Sequence, residues 1–144
     1  MPDLRAQALR LLSRREHSRA GLAKKLAAHA ETEEQLAALL DTLEAQHLLS
    51  DQRYASQRVQ ARAGRVGNAR LRHELQAGGV DDEAVTAALA ESGDEGERCR
   101  AVWQKKFGAL PTDAETRARQ MRFLQYRGFS AEAIRRVLRA EEIG

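Results

Sequence analysis

The feature of this sequence that most constrains its fold is a repeat with a period of 49 residues. Leu26, Leu75 and Leu124 lie at the same phase of that period. Other residues that recur at this spacing are Leu40, Leu89 and Leu138, the aliphatic Leu36, Val85 and Ile134, the polar Thr32, Asp81 and Ser130, and the glutamates Glu34, Glu83 and Glu132. A repeat of this length is typical of a row of supersecondary units, because one such unit cannot bury its apolar face alone.

Gly79 and Gly128 mark the turn that the second and third copies share. A helix is predicted to end at each glycine, because glycine adopts a positive φ without the steric penalty of a Cβ atom. An apolar residue and then a capping residue follow each glycine, namely Val80 and Asp81 in the second copy and Phe129 and Ser130 in the third. The capping side chain can accept a hydrogen bond from a free N–H of the next helix, so the turn joins two helices.

Composition predicts that all of these elements are helical. The chain has 26 Ala and 18 Leu against 6 Val and 2 Ile, and residues that favour strands are scarce. We therefore predict an all-α fold of three tandem three-helix repeats. The expected helices are roughly 3–15, 18–29, 32–46, 51–64, 68–77, 81–91, 95–107, 112–126 and 130–142, with further caps at Ser18, Ser50 or Asp51, Asn68 and Thr112.

The predicted units are residues 1–50, 51–94 and 95–144, joined as one continuous structural unit. The first copy is degenerate, since His29-Ala30-Glu31 replaces its glycine turn. Leu, Ile, Val and Phe total only 29 of 144 residues, which is few for a deep globular core. An open row needs fewer deep-core residues than a sphere, and we expect neighbouring units to bury further apolar surface between them.

The remaining composition indicates a soluble, cytoplasmic protein. The single cysteine, Cys99, cannot form an internal disulfide, which fits a reducing compartment. The sequence contains neither a signal-peptide core nor an apolar run of about 18 residues, so we expect no membrane partner. The net charge of +3 allows a nucleic-acid partner without requiring one.

Positive charge is concentrated in the second and third copies. Residues 52–73 hold six arginines and no acidic residue. Arg58, Arg62 and Arg65 follow one helix face at i, i+4 and i+7. The whole set of candidate binding residues is Arg53, Arg58, Arg62, Arg65, Arg70, Arg72, Lys105, Lys106, Arg119, Arg122 and Arg127. Each of them could be a solvated surface residue, but the acid-free stretch favours an anionic partner, and arginine suits bidentate contacts to phosphate or carboxylate.

Five of the six aromatic residues lie in the third copy, at Trp103, Phe107, Phe123, Tyr126 and Phe129. Interleaved with arginine, they could form a platform for stacking nucleic-acid bases. Their spacing favours a packed core instead, since Trp103 and Phe107 are four residues apart and Phe129 occupies the apolar position of the repeat.

The sequence carries no recognisable catalytic or metal-binding motif. His17, His29, His47 and His73 are scattered without paired-ligand spacing, and Cys99 has no partner histidine in a known motif. His47 continues the apolar row of the third helix and is expected to lie at the end of its core stripe. The glycines form no phosphate-binding loop. We therefore predict a binding protein rather than an enzyme, with no cofactor and no small-molecule substrate.

Three segments resemble the RecX family, the regulatory proteins of the RecA recombinase. Residues 48–55 (LLSDQRYA) are similar to the family pattern Leu-Leu-Asp-Asp-x-Arg-Phe-Ala, although Gln46-His47 stands where a glycine is usual. Residues 70–80 resemble Ile-x-x-Glu-Leu-x-x-Lys-Gly-Ile/Val, and residues 119–130 contain a close match to Phe-Leu-x-x-Arg-Gly-Phe-Ser. The likeness extends over about residues 4–138, and the order and spacing of the segments make it specific.

The resemblance implies an elongated, curved row of three-helix repeats that lies in the groove of the RecA–single-stranded DNA filament. Such a protein would bridge adjacent RecA protomers and restrain ATP turnover, strand exchange and filament growth. Its arginine faces could meet acidic RecA surfaces or filament DNA. The alternative from the residues alone is a non-specific helical DNA-binding protein that acts without RecA.

Overall fold

The computed structural model describes residues 3–139, and all regular structure in that range is helical. The first unit holds α1 (Leu4–Arg14), α2 (Arg19–Leu26) and α3 (Glu33–Ala45), with a short 3₁₀ turn at Ala27–His29. The second holds α4 (Asp51–Arg62), α5 (Asn68–Ala77) and α6 (Asp82–Ala90). The third holds α7 (Glu95–Lys106), α8 (Ala114–Tyr126) and α9 (Ala131–Leu138). The predicted all-α class with three-helix repeats is confirmed, while residues 140–142 of the last predicted helix lie outside the described part.

Helix starts follow the predicted caps in most cases. The side chains of Ser18, Thr32, Ser50, Asp81 and Ser130 each accept a hydrogen bond from a backbone N–H three residues later. Such caps satisfy one of the N–H groups that a helix leaves unpaired at its first turn. These local signals therefore fix where five of the described helices begin.

Two predicted caps are wrong. Helix α5 starts after Gly67, and Asn68 is its first residue. The backbone N–H of Asn68 donates instead to the Glu95 carboxylate at 2.8 Å, so an acid from the next unit replaces the missing local cap. Helix α8 is capped by Asp113 rather than Thr112, since the Asp113 carboxylate accepts from the Thr116 N–H at 2.7 Å.

Gly79 and Gly128 end α5 and α8 with φ values of 86° and 91°. In the first of these turns the N–H of Val80 donates to the carbonyl of Leu75, and the N–H of Gly79 donates to that of Gln76, both at 3.0 Å. This pair of bonds satisfies helix carbonyls that would otherwise lack partners. The turn sends the chain directly into the next helix of the unit.

His47 adopts the same left-handed conformation after α3, with φ 61°. The Leu48 N–H donates to the Leu43 carbonyl at 2.9 Å, and the His47 N–H donates to the Glu44 carbonyl at 3.0 Å. The prediction that His47 extends the core stripe is wrong, because α3 ends at Ala45 and the histidine side chain is exposed. A histidine here occupies a conformation that glycine adopts at less cost.

Each unit has an apolar cluster of its own. The cluster of the first unit contains Leu4, Ala8, Leu22, Leu26, Leu40, Leu43 and Leu49. That of the second contains Ala55, Val59, Val66, Leu71, Leu75, Val80, Val85, Ala88 and Leu89. That of the third contains Cys99, Val102, Trp103, Leu124, Phe129, Ala133, Ile134, Val137 and Leu138. The buried apolar residues described thus form three separate small cores, one in each unit.

Hydrogen bonds connect the first unit to the second at what we call the first joint. The Ser18 hydroxyl donates to the Gly78 carbonyl at 2.7 Å, across 60 residues of sequence. The backbone N–H of Arg19 donates to the Asp51 carboxylate at 2.7 Å. The first residue of the second unit therefore adds a second cap to α2, beside the local cap of Ser18.

The second joint, between the second and third units, repeats this arrangement with different residues. The Gly67 N–H donates to the Arg127 carbonyl at 2.8 Å, and the Ala69 N–H donates to the Gly128 carbonyl at 3.2 Å. Glu95 takes the capping role that Asp51 has in the first joint. A Cβ atom at Gly67 would overlap the Gly128 carbonyl, so this close backbone contact requires glycine.

His17 lies buried beside the first joint and supplies a prediction on pH dependence. Burial lowers the pKa of His17 below its ordinary value of 6.5, and the charges of Arg15 and Lys25 lower it further. The hydrogen bond to the Arg15 carbonyl and the charge of Glu16 oppose this with smaller effects on the pKa. Below about pH 6.5 the unfolded chain therefore binds more protons at this residue, and the free energy of unfolding falls as the pH falls.

We expect the urea midpoint of the protein to fall between pH 7.5 and pH 5.5, and to fall less in His17→Asn. The comparison uses the slope against pH, since the substitution also changes stability at every pH. An equal slope in the two proteins would contradict the assignment of this dependence to His17.

Candidate interaction surface

Two of the predicted binding arginines are paired inside the chain. The Arg53 Nε lies 3.0 Å from the Glu16 carboxylate across the first joint. Arg62 makes two bonds to the Glu74 carboxylate, at 2.7 and 3.3 Å, in the bidentate geometry that the guanidinium favours. Arg62 is therefore paired within its own unit, and the arginine stripe predicted on α4 is not wholly available to an external partner.

The other nine candidate cations form no ion pair with an acidic side chain in the described part of the chain. Within residues 3–139, no carboxylate lies at ion-pair distance from Arg58, Arg65, Arg70, Arg72, Lys105, Lys106, Arg119, Arg122 or Arg127. Unpaired cations that cluster on one surface raise the local concentration of anionic partners. The clustering of these residues therefore decides which of them can act together.

A groove of about 440 Å³ lies at the second joint, and we call it the basic groove. Val102 and Phe123 contribute apolar surface to its wall. Four cations surround that surface, with Arg65 from the loop after α4, Lys105 and Lys106 from the end of α7, and Arg127 from the turn after α8. The groove thus combines cations from both units around an apolar recess.

The ring of Phe123 organises part of this groove. The Lys106 Nζ lies 5.3 Å from the ring centroid, and the Arg127 guanidinium carbon lies 5.0 Å from it. Phe107 meets the same ring edge-on, with centroids 5.3 Å apart. Cations at this distance from an aromatic ring are attracted by its quadrupole, so Lys106 and Arg127 are positioned before any partner arrives. Arg127 is further fixed by its bond to the Arg65 carbonyl at 3.2 Å.

A second recess of about 200 Å³ adjoins the groove and shares Arg65 and Arg127 with it. Its other lining residues include Arg70 and Tyr126. The Arg70 guanidinium lies 5.2 Å from the Tyr126 ring centroid and donates to the Tyr126 carbonyl at 2.9 Å. We call Arg70 and Tyr126 the tyrosine patch.

The expectation that the aromatic residues of the third copy form one packed core is wrong for Tyr126. It is 74% exposed, whereas Trp103 and Phe129 are each 4% exposed. Tyr126 is two residues from the buried Leu124, and positions two apart lie on different faces of a helix. This spacing is the signal in the sequence that could have identified the exposed ring.

The structure leaves several predicted binding residues outside this region. Arg58, Arg72, Arg119 and Arg122 line neither recess. Arg119 and Arg122 are exposed on α8, and Arg58 and Arg72 are half-buried on α4 and α5. The predicted cations that the fold brings together are therefore Arg62, Arg65, Arg70, Lys105, Lys106 and Arg127, and of these Arg62 is already paired with Glu74.

Cys99, the single thiol of the chain, is buried among apolar side chains. Burial raises the pKa of the Cys99 thiol to about 12, so it stays protonated and packs as an apolar group in the third core. Within residues 3–139 no three His, Cys, Asp or Glu side chains are grouped to hold a metal ion. None of the helices described is long and apolar enough to span a membrane.

Comparison with known proteins identifies relatives of both units that form the groove. A family model described as the second three-helix domain of RecX matches residues 50–89, and one described as the third three-helix domain of RecX matches residues 94–138.

Whole-chain relatives share the same description. The regulatory protein RecX of Herminiimonas arsenicoxydans is 49% identical over 143 residues, which cover 97% of this chain and 93% of that protein. The regulatory protein RecX of Herbaspirillum seropedicae is 48% identical over 134 residues, covering 92% and 87% of the two chains. A crystal structure of RecX from Lactobacillus salivarius superposes with a TM-score of 0.84 at 19% identity, over 98% of this chain and 96% of that one. At this identity, the structural match shows the fold.

Proposed function

The chain belongs to the RecX family of regulatory proteins, and from that premise we propose that it binds the RecA–single-stranded DNA filament and restrains it. The restrained steps are ATP turnover, strand exchange and filament growth. This proposal places the protein in the cytoplasm and requires no chemistry from its own side chains. Its function then depends on how its surface meets the filament.

The observation that carries the proposal is the open cationic surface at the second joint. Arg65, Lys105, Lys106 and Arg127 come from two units and have no acidic partner among the described residues. A recombinase filament presents both acidic side chains and phosphates, and either could pair with these cations. The Phe123 ring positions Lys106 and Arg127, so these two charges need little ordering on binding.

A row of rigid units can restrain a filament by contacting neighbouring protomers together. A ligand that binds one conformation of a protein better than another shifts the protein toward the preferred conformation. If the row fits two protomers in one relative position, the movements that accompany ATP turnover cost binding energy. Inhibition then requires no catalytic residue in this chain.

The direct test measures RecA ATP hydrolysis on single-stranded DNA with and without this protein at substoichiometric ratio. We expect lower turnover and less strand exchange with the wild-type protein. Arg65→Glu, which reverses an exposed charge of the groove, should raise the half-inhibitory concentration about tenfold. Arg10→Glu makes the same charge change on an exposed position of α1 and should alter that concentration less than about twofold.

Unchanged ATP turnover and strand exchange with the wild-type protein would refute the proposed function. Equal inhibition by wild type and Arg65→Glu would leave the function standing and refute the role of the groove.

A second candidate function is DNA binding independent of RecA, and the tyrosine patch favours it. Tyr126 presents a ring that is 74% exposed, with the Arg70 cation beside it. Exposed aromatic rings beside cations are surfaces on which unpaired bases stack. Under this candidate, the protein should inhibit any ATPase that depends on single-stranded DNA, and log affinity should fall by ~0.7 per phosphate contact against log salt concentration. Inhibition restricted to RecA would exclude it.

A further inference from the structure

We propose that the basic groove binds an acidic protein segment that places an apolar side chain against Val102 and Phe123. The inference rests on the proposed function for the source of the segment, which would be the regulated recombinase. The chemistry of the segment follows from the groove itself.

The apolar wall of the groove is the first observation. A volume of about 440 Å³ falls within the range of about 300–1,000 Å³ that is usual for pockets holding ligand-sized groups. Val102 and Phe123 supply apolar surface inside a ring of charges. A phosphodiester backbone has no group that would fill such a recess, whereas a leucine or phenylalanine side chain gains by leaving water.

The state of the Phe123 ring is the second observation. Lys106 and Arg127 already lie about 5 Å from its centroid, and Phe107 meets it edge-on. Phe123 is half-buried, so less of its ring is open to a flat stacked base than of the exposed Tyr126 ring, while part of it still lines the groove. The aromatic ring of this region that is open is that of Tyr126, which belongs to the neighbouring patch. The groove is therefore shaped for a side chain, while base stacking would occur at the tyrosine patch.

The charges around the recess are the third observation. Lys105 is exposed and has no acidic partner among residues 3–139, and the same holds for Arg65. The Lys106 Nζ and the Arg127 guanidinium carbon lie 5.3 and 5.0 Å from the Phe123 ring centroid, at the edge of the recess. Four positive charges around an apolar centre are complementary to a segment that has carboxylates on both sides of an apolar residue. Such complementarity also selects against basic segments.

The test uses fluorescence anisotropy with the full-length protein and three labelled probes of equal length. The first probe is a synthetic peptide of Asp and Glu with two central leucines, the second has serines in place of the leucines, and the third is oligothymidine. We expect the leucine peptide to bind at least about fivefold more tightly than the serine peptide, because only leucine fills the recess.

Two matched double variants locate the binding. Lys105→Gln with Lys106→Gln removes two charges from the last turn of α7, and Lys24→Gln with Lys25→Gln removes two from the last turn of α2. The α7 double variant should bind the leucine peptide about tenfold more weakly than the wild-type protein does. The α2 double variant should lose less than about twofold in affinity for the same peptide. Far-UV circular dichroism and thermal unfolding establish that both variants are folded.

Equal affinities for the leucine and serine peptides would overturn the inference, since charge alone would then explain binding. Loss of oligothymidine binding in the α7 variant, with no binding of either peptide, would assign the groove to nucleic acid instead. If the wild-type protein inhibits RecA but does not bind the leucine peptide, this inference fails and the proposed function stands. If the peptide binds as expected and RecA is unaffected, the proposed function fails instead.

Discussion

Replacing Phe129 by alanine is expected to lower the free energy of unfolding by about 3–5 kcal/mol. The ring is 4% exposed and belongs to the apolar cluster of the third unit. Phe129 directly follows the turn glycine, and its N–H donates to the Leu124 carbonyl at 3.2 Å. The side chain is thus fixed where α8 passes into α9, and a small core has few other residues that could fill the cavity.

The measurement is urea unfolding followed by the fluorescence of Trp103, the single tryptophan of the chain. Trp103 is buried in the same cluster, and its Nε1–H donates to the Gln120 side chain at 2.8 Å, so its emission reports on the third unit. Tyr126→Ala removes an exposed aromatic of the same unit and should cost less than about 1 kcal/mol. A loss below about 1 kcal/mol for Phe129→Ala would contradict its place in the core.

The helices and their turns could be predicted because their signals are local. A cap such as Asp81 or Ser130 acts within three residues of itself, and the preceding glycine acts on its own backbone. The 49-residue period then placed these signals in equivalent positions along the chain. Local chemistry combined with repetition is therefore enough to predict a row of three-helix units.

Apolar spacing alone led to the wrong prediction that His47 lies at the end of the core stripe of α3. The residue is four positions after Leu43 and would lie above it if α3 continued. The helix ends first, and His47 takes a positive φ like that of the glycines after α5 and α8. Spacing predicts a helix face only as far as the helix extends, and the end of α3 lacks the glycine that would have marked it.

The joints could not be predicted because their partners are distant in sequence. Nothing in the neighbourhood of Asn68 indicates that Glu95 caps its helix, or that Arg62 pairs with Glu74 rather than with an external anion. The absence of acidic residues from 52–73 therefore led to too high an expectation of unpaired positive charge on α4, since Arg62 pairs with an acid just outside that stretch. The cluster at the basic groove arises only when the second joint brings Arg65 next to Lys105 and Lys106.

Replacing Arg98 by alanine is expected to destabilise the second joint by on the order of 3 kcal/mol. The Arg98 guanidinium donates to the carbonyls of Ala63 and Val66 at 2.9 and 2.8 Å, and to the side chains of Asn68 and Ser92 at 2.7 and 3.1 Å. One side chain of α7 thus satisfies acceptors from the ends of α4 and α6 and the start of α5. Burial lowers the pKa of Arg98 from its ordinary value, against smaller opposing effects of Glu95 and Asp94.

The expected result is a loss of stability together with a loss of coupling between units. In the wild-type protein, Trp103 fluorescence and far-UV circular dichroism should give coincident urea transitions, because the joint couples the third unit to the rest. In Arg98→Ala the two transitions should separate, since the small cores of the second and third units lose the hydrogen bonds that connect them.

Arg100→Ala provides the matched control for this prediction. Arg100 lies on the same helix and is exposed, so its replacement has the same effect on helix propensity without breaking the joint. It should leave the two transitions coincident and change the free energy of unfolding by less than about 0.5 kcal/mol. Coincident transitions in Arg98→Ala, with a loss no larger than that of the control, would show that backbone bonds such as Gly67 to Arg127 are enough to couple the units.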